Sequence, residues 1–461
     1  MSHQRRTSRK AQGAPRKIKP LEELRIVHPH AAGLDIGADE IWACVPASST
    51  AENVRVFGTF TVDLQALADW LVACGVDTVA MESTGVYWIP IFEILEARGL
   101  KVFLVNSWHL RHVPGRKSDV LDCQWIQQLH SLGLLRASFR PDAEMITLRS
   151  YLRHRATLIE HRSPHILHMQ KALQQMNLQL PLVLSDIMGE TGQKIIRAIV
   201  AGERDSLKLA QLRHPSCKSS EDEIAKALTG TWQSEHLFAL KQSLELVDFY
   251  THQLAECDAE LARQFAAVKP RWDAPAELPK LPKVKPDSHS KNQPAYNARI
   301  ELFRITGVDL VALKGISASL AQTIITEVGT DMSRFPTEKH FCSWLGLTPH
   351  HEISGGKILR NHTLKTDNRA GQAFRQAATC VMRSDSTFGA FYRRKTAQLG
   401  PMQALVATAH KIARTVYHLL KDKTAYHDVG AKAYEQQAQD RALAHLRKTA
   451  AKLGYTLTVT A

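Results

Sequence analysis

The sequence predicts an α/β domain followed by a mainly α-helical region. Residues 32–132 alternate short apolar runs with amphipathic segments, which predicts the order β-β-β-α-β-α-β-α. From residue 143 onward, apolar residues recur every three or four positions, as they do along one face of a helix. Six prolines fall within 269–298, and proline is excluded from helix and sheet interiors. This stretch is therefore predicted to be a linker or long loop.

The 461 residues are enough for two or three domains. The predicted segments are a disordered basic arm at 1–28, the α/β domain at 29–140, a helical, coiled-coil arm at 141–268, the proline-rich linker at 269–298, a helical domain at 299–425 and a charged helical tail at 426–461. In the α/β domain the strands are predicted at 33–37, 40–45, 54–61, 78–82 and 102–105, and the helices at 64–72, 87–97 and 118–132.

Charge favours a nucleic-acid partner. Lys and Arg exceed Asp and Glu by fourteen, and the isoelectric point is near 9.4. Basic soluble proteins of this kind most often meet a polyanion, although solubility alone could also explain the excess. Seven basic residues without an acid make up half of the excess and lie in the N-terminal arm: Arg5, Arg6, Arg9, Lys10, Arg16, Lys17 and Lys19.

The seven cysteines are scattered, without a CxxC motif or a histidine at metal-ligand spacing. Neither a disulfide framework nor a zinc ribbon is predicted, and a reducing cytoplasm is the expected location. No apolar run approaches the roughly 18 residues that span a bilayer, so no membrane association is expected.

Four acids are predicted to form one metal site. Asp35 and Glu82 end strand-like runs, while Asp119 and Asp122 lie three residues apart on a predicted helix and so share a face. Carboxylate oxygens suit Mg²⁺, and four of them could hold a pair of ions for attack on a phosphodiester. Any one of these acids alone is more often a solvated surface residue. Their joint placement therefore carries the prediction.

The order of elements and the position of the acids resemble the RNase H-like fold of the RuvC-type resolvases. The motif Gly-Leu-Asp-Ile-Gly around Asp35 also resembles the first phosphate motif of actin-like kinases and ATPases, which share the fold. Those proteins need a second domain with its own Asp-containing turn, and this sequence contains no duplicate.

Three basic stretches are candidates for nucleic-acid binding, each with a merely solvated surface as the alternative. One precedes the helical acids, one lies on the helix predicted over 143–177 with a bend at Pro164, and one follows Ser354. The predicted contacts are Arg111, Arg116, Lys117, Arg149, Arg153, Arg162, Lys357, Arg360, Lys365 and Arg369. On the helix, the arginines outnumber the nearby acids that could pair with them.

Apolar residues recur at helical spacing over 240–261, which predicts a long amphipathic helix. Two explanations stay open for its apolar face. The simpler explanation is packing against another helix of the same chain. The more specific explanation is a coiled-coil arm for self-association.

The last candidate is Ser354. It begins Ser-Gly-Gly-Lys in a predicted polar loop, shortly after Leu-Gly-Leu-Thr-Pro at 345–349, and a helix-hairpin-helix turn around Gly315 precedes both motifs. Together with the four acids and the helical arm, these motifs resemble the DEDD-type insertion-sequence transposases, the family of bridge-RNA-guided recombinases. The resemblance covers about residues 29–422.

This resemblance implies a prokaryotic transposase that associates with the nucleoid while acting. It implies metal binding by Asp35, Glu82, Asp119 and Asp122, and a nucleophilic Ser354 that forms a phosphoserine link to DNA. The implied partners are donor and target DNA, a structured guide RNA, and other protomers in a dimer or tetramer with composite sites. The alternatives are a protein-only, metal-dependent junction resolvase and, from another class, a non-catalytic RNA-binding protein.

Overall fold

The computed structural model describes residues 25–83, 85–106, 119–273, 275, 277, 280–281, 292–363, 368–456 and 458, with the backbone alone at 119–121 and 361. The chain divides into two compact units, Met1–Arg140 and Pro141–Ala461. Along the described part of the chain, no helix combines the length and the apolar character needed to cross a bilayer.

The first unit contains a mixed five-stranded sheet. Its strands are β1 (Ala31–Ile36), β2 (Glu40–Cys44), β3 (Val54–Gly58), β4 (Thr78–Glu82) and β5 (Lys101–Val105), in the spatial order β3-β2-β1-β4-β5. Neighbours within β1 to β3 are antiparallel, whereas β4 pairs in parallel with both β1 and β5. The predicted order of strands and helices is confirmed, and the arrangement is consistent with an RNase H-like fold.

Helices cover both faces of this sheet. On one face, α1 (Thr61–Ala73) and α2 (Trp88–Ala97) bury residues such as Leu67 and Leu95 against Leu34 and Met81 of the strands. On the other face, α3 (Asp119–Ser131) packs Ile126 against Ala80 and Val105. The alternation of neighbours along β4, with Ala80 on one face and Met81 on the other, is the period of two expected of a strand.

Helix α3 lies unusually close to β1. A Cβ atom added at Gly33 would overlap the backbone nitrogen of Gln127 and the backbone oxygen of Cys123. Further along, the side-chain amide of Gln127 donates to the carbonyl oxygen of Ala31 at 3.2 Å. Glycine is therefore required at residue 33, because the helix backbone occupies the space of a side chain.

Replacing Gly33 by Ala should destabilise the first unit. The overlapping atoms belong to a helix backbone that cannot rotate away, so we expect a loss of about 2 kcal/mol in the free energy of unfolding, within the range for overpacked cores. Urea denaturation measures this change. Gly58→Ala is the matched control, since its new Cβ would meet only the flexible carboxylate of Asp63. Equal stability of the two variants would contradict the close packing of α3.

Two long helices begin the second unit. Helix α4 (Ala143–Gln175) runs through Pro164 without ending, and α9 (Ser234–Ala267) packs along it. Between them lie four shorter helices: α5 (Leu180–Val183), α6 (Glu190–Val200), α7 (Ser206–Ala210) and α8 (Glu221–Ala227). These close one end of the pair around a core that includes Met176, Ile195 and Leu240.

The long helices are antiparallel. The thiol of Cys257 lies 3.8 Å from the carbonyl oxygen of Tyr151, while Arg162, further along α4, donates to the hydroxyl of Thr251, earlier on α9. A buried ion pair joins them, with Arg155 Nε 2.5 Å from Asp258 Oδ1. The apolar face of α9 is thus packed within the chain, the simpler of the two explanations. Self-association stays a prediction.

The remaining helices form the C-terminal part of this unit. They are α10 (Ala298–Thr306), α11 (Ala318–Val328), α12 (Glu338–Trp344), α13 (Arg369–Val381), α14 (Thr387–Leu399), α15 (Pro401–Asp422) and α16 (Gly430–Lys452), with short 3₁₀ helices at Leu310–Ala312 and Met332–Arg334. The turn at Gly315 precedes α11 and packs closely against α13. Its assignment as a helix-hairpin-helix motif stays a prediction.

One prediction of local structure is wrong. The segment around Ser354, predicted as a polar loop in an all-helical domain, forms an antiparallel hairpin of β6 (Pro349–Ser354) and β7 (Lys357–Thr363). Ser354 pairs with Lys357, and both glycines of the two-residue turn have positive φ, 55° at Gly355 and 76° at Gly356. Two successive residues of positive φ make the type I′ turn, whose twist matches that of the flanking strands.

Candidate metal centre and serine hairpin

Asp35 and Glu82 lie side by side at the sheet. In the parallel pair β1 and β4, Leu34 is opposite Met81, so the next residue on each strand brings Asp35 beside Glu82. Both acids are half-buried. They therefore occupy the carboxyl ends of adjacent parallel strands, the edge at which open α/β sheets bind their ligands.

The two acids also share a face of the sheet. Side chains alternate along a strand, and both Gly33 and Ala80 face helix α3. Asp35 and Glu82, two residues further along their strands, consequently lie on the face that α3 covers.

The direction of α3 brings its first turn toward these acids. Near the end of the helix, His130 Nε2 lies 2.9 Å from the hydroxyl of Thr78, at the start of β4. The helix therefore runs antiparallel to β1 and β4, and its beginning lies near the ends of those strands. Asp119 is the first residue of this helix, and the half-buried Asp122 follows one turn later.

A buried thiol pair lies beneath this site. Cys123 follows Asp122 directly, and its thiol is hydrogen-bonded to that of Cys44 in β2. The hydrogen bond to Cys44, burial and the nearby carboxylate of Asp35 all raise the pKa of Cys123. The thiol therefore stays neutral at physiological pH and acts as a packing group, since a metal ligand or a nucleophile would have to be a thiolate.

The described acids do not by themselves complete a metal site. Among the side chains that the structure describes, no three carboxylate, imidazole or thiol groups are arranged to hold an ion. The side chain of Asp119 lies outside this description, as do the predicted contacts Arg111, Arg116 and Lys117. Carboxylate oxygens on two strand ends and one helix are nevertheless the ligand type that a hard cation such as Mg²⁺ takes, and they are partly exposed, as a site open to substrate requires.

Ser354 is at the exposed tip of the hairpin. Its hydroxyl has no side-chain partner among the described residues, and the turn that follows it has no side chains at Gly355 and Gly356. A large substrate can therefore approach the hydroxyl closely. No general base is adjacent in the described part of the hairpin, so the serine would need activation from elsewhere.

Basic side chains of this region are open to solvent. Lys357 and Arg369 are exposed, and Arg360 is 76% exposed although its Nε lies 4.0 Å from Glu352. Lys365 lies outside the described residues. Exposed pairs of this kind contribute little to stability, so these groups are available to another anion.

The arginines of α4 have an acidic partner outside that helix. Glu327 of α11 pairs with both Arg149 and Arg153, so the two arginines share one distant acid. Arg153 makes a bidentate contact, with Nε 3.0 Å from Oε1 and Nη2 2.9 Å from Oε2. Arg162 donates instead to the side-chain oxygen of Asn292 at 2.8 Å. Binding of nucleic acid by these residues stays a prediction.

Comparison with known proteins gives matches in both units. A model of DEDD transposases of the IS110 group matches residues 32–178, and a model described as the transposase IS116/IS110/IS902 family matches residues 309–393. The first range contains Asp35, Glu82, Asp119 and Asp122, and the second contains Ser354.

A curated relative agrees with these models. The uncharacterized 43.6 kDa protein of insertion element IS110 from Streptomyces coelicolor is 30% identical over 132 residues, which cover 28% of this chain and 32% of the relative. The match therefore spans about a third of that relative's length. Two transposase models in sequence, together covering half of the chain, and this relative give the same assignment. The chain belongs to the IS110 family of DEDD transposases.

Proposed function

We propose that this protein is a DNA transposase that cuts and rejoins strands to move an insertion sequence. The observation that carries the proposal is the arrangement of the acids: Asp35 and Glu82 end adjacent parallel strands on the face covered by α3, and Asp122 lies at the beginning of that helix. Both matched family models are transposase models, which supports the same activity.

Asp35, Glu82, Asp119 and Asp122 would hold divalent metal, with a pair of Mg²⁺ ions as the proposed occupants. Asp119 joins the group through its position three residues before Asp122 on α3, because residues at this spacing lie on one side of a helix. The metal would supply Lewis-acid stabilisation of the charge on the reacting phosphate. The carboxylates would bind and orient the metal ions, and their partial burial would limit how much water competes with them for the metal.

Ser354 is proposed as the nucleophile. Its Oγ would form a bond to phosphorus while one P–O bond of the DNA strand breaks. The serine proton is lost, and the departing strand end takes up a proton as a hydroxyl. Strand exchange reverses these events with a different strand end as the attacking group. The exposed tip of the hairpin, flanked by Lys357 and Arg360, suits an attack on a large polyanion.

The proposed partners are a guide RNA, DNA and further copies of the protein. A structured guide RNA would pair with donor and target DNA, and a dimer or tetramer of protomers would bring metal centres and serine hairpins together as composite sites. The net charge of +14 supports contacts with more than one nucleic-acid strand. The helix pair α4 and α9, with the partly exposed Arg153 and Arg162, is the proposed RNA surface, and the RuvC-type and helix-hairpin-helix assignments belong to this proposal.

The test is to purify the tagged full-length protein from cells that carry its native flanking DNA, and to sequence the RNA retained after a high-salt wash. One abundant short RNA from the flank, together with movement of the element in those cells, is the expected result. Random cellular RNA with Mg²⁺-dependent cutting of DNA would replace guidance by a protein-only junction resolvase. RNA binding without metal-dependent DNA chemistry would contradict the enzyme altogether.

A further inference from the structure

A basic cleft lies in the second unit, away from the tip of the hairpin. Helices α14, α15 and α16 form its walls, together with residues at the base of the hairpin, and its volume is about 1130 Å³. Among the described residues, six that line it are cations or imidazoles and none is an aspartate or glutamate: Arg394, Lys411, Arg414, Arg441, His362 and His410. No local pattern along the chain indicates this group, because its members come from three helices and a strand.

Lys411 is the centre of this group. Its Nζ lies 4.1 Å from the ring centroid of Tyr434 and 4.6 Å from that of Phe391. Burial, with the positive charges of Arg394 and Arg441, lowers its pKa to about 8. A lysine held among other cations is destabilised in its charged form, and a bound anion would relieve this repulsion.

The neighbouring acids compensate this charge only in part, because Asp428 favours the charged form of Lys411 without forming an ion pair with it. Glu338 is paired with Arg414 at 2.6 Å, and the carboxylate of Asp428 accepts a bond from the backbone nitrogen of Gly430 at 3.0 Å. Among the described residues no carboxylate forms an ion pair with Arg394, Lys411 or Arg441. The cleft therefore carries positive charge in its free state.

The cleft also has an apolar wall. Leu399, Met402 and Val429 line it, and Met402 is 77% exposed. The volume lies slightly above the range of about 300 to 1,000 Å³ that small-molecule sites occupy, so the cleft accommodates more than a phosphate group. A ligand that fits both walls has an anionic part and a flat or apolar part.

The position of the cleft favours a nucleic-acid strand over a free metabolite as its ligand. Pro349, His362 and Thr363, at the base of the hairpin, line its rim. Ser354 is five residues from Pro349 along β6, about 17 Å at the usual rise of a strand. A nucleic-acid strand that reaches Ser354 could therefore enter the cleft about five base steps away, at about 3.4 Å per step.

We propose that this cleft binds a nucleotide of an unpaired nucleic-acid strand, with the phosphate against Lys411, Arg394 and Arg441 and the base against Met402 and Val429. The inference rests on the proposed function in one respect, namely that the chain handles nucleic acid. It assigns to α14, α15 and α16 a role separate from the metal centre and from the nucleophile: to hold the strand at a fixed distance from the hairpin tip.

The experiment measures binding of fluorescent single-stranded DNA and RNA hexamers to the full-length protein by anisotropy, with inorganic phosphate as a competitor. Lys411→Gln and Arg441→Gln should each weaken binding about tenfold, the worth of one charged hydrogen bond, and reduce the slope of log K against log salt by about 0.7. Lys448→Gln is the matched control, because Lys448 is exposed on the same helix as Arg441 and does not line the cleft. Its affinity should stay within twofold of the parent protein.

Binding should also depend on pH. A bound phosphate favours the ammonium form of Lys411, so the pKa of this group is higher in the complex than its free value of about 8. Affinity is then fully present below pH 8 and falls as the pH rises above it, and Lys411→Gln should remove this dependence. The other charged, titratable or aromatic groups around Lys411 come from four elements and one connecting segment: Arg394 of α14, His410 and Arg414 of α15, Asp428 just before α16, Tyr434 and Arg441 of α16, and His362 of β7.

Several outcomes would overturn the inference. Unchanged hexamer binding and an unchanged salt slope in both glutamine variants would do so, as would binding of inorganic phosphate that the hexamers do not displace. Melting curves show whether a variant is folded, and Arg441→Gln alters only an exposed side chain. If the parent protein recombines DNA but both glutamine variants bind the hexamers as tightly as the parent, the assignment of the cleft is refuted and the proposed function stands. If the hexamers bind at the cleft but the parent protein does not recombine DNA, the proposed function is refuted and the assignment of the cleft stands. A preference for DNA or RNA identifies the source of the strand.

Discussion

Asp35→Asn should abolish Mg²⁺-dependent DNA cutting and leave the protein folded. The substitution keeps the shape of the side chain and removes one negative charge from a group of acids at the strand ends. Loss of a ligand to catalytic metal removes several kcal/mol of stabilisation of the reacting phosphate, so the rate should fall by roughly 10³-fold or more. Recombination of a supercoiled donor and target, followed by gel analysis of products, measures the change.

A second readout separates metal binding from activity. If the acids hold Mg²⁺ in the native state alone, the ion should raise the melting temperature of the parent protein, and the rise should grow with the logarithm of the Mg²⁺ concentration. Asp35→Asn should lose this shift, while its melting temperature without metal should be equal or higher, because repulsion among the acids is reduced. Asp39→Asn is the matched control, since Asp39 is exposed in the turn just after β1. Parent-like cutting by Asp35→Asn would remove Asp35 from the metal centre.

Ser354→Ala should eliminate any covalent link between protein and DNA. Alanine removes only the hydroxyl, at an exposed tip where it has no side-chain partner among the described residues, so the stability of the protein should not change. Loss of an attacking nucleophile costs many orders of magnitude in rate, on the order of 10⁶ where a catalytic serine has been removed. The adduct is measured by labelling the DNA, denaturing the protein and detecting label on the protein band.

Ser343→Ala provides the comparison for this variant, because Ser343 is an exposed serine on α12, outside the hairpin. It should form the adduct at the parent rate. If Ser354→Ala still cuts DNA in the presence of Mg²⁺, water or another group is the attacking species, and the protein acts as a junction resolvase. An adduct that persists in Ser354→Ala would place the nucleophile at another residue.

The α/β domain could be read from the sequence because its elements have strong local patterns. The apolar runs of β1 and β4 each end in an acid, and α1 carries Leu64, Leu67 and Leu71 at helical spacing before Gly75. The order of elements then restricts the topology, since parallel strands require a helical crossover. What local patterns could not give is the approach of α3 to Gly33, which depends on a tertiary contact 90 residues and more along the chain.

The hairpin was missed for a different reason. Strands are recognised by alternation of apolar and polar residues, and Pro349–Ser354 contains only one large apolar residue, Ile353. That side chain is itself exposed, so there was no buried face to produce a pattern. The two glycines were the available signal, because Gly-Gly between two short segments is typical of a type I′ turn.

The arginines of α4 show the limit of counting charges along a sequence. Arg153 and Glu327 are 174 residues apart, so no local window contains both. The candidate acids were easier to predict, because strand ends converge at one edge of a sheet whatever the distance between them in sequence. The partners of a surface charge have no comparable rule.

The hairpin bears on when the hydroxyl of Ser354 takes up a fixed position. In the described structure β6 pairs only with β7, and an isolated two-stranded ribbon is marginally stable in water. Most of its side chains are exposed, so little burial opposes the conformational entropy that holding Ser354 in one place would cost. On the proposal that Ser354 attacks DNA, that entropy would be lost when a nucleic-acid strand covers the ribbon, and the hydroxyl would take up a fixed position only then. The proposed nucleophile would thus stay without a fixed position until the strands are assembled around it.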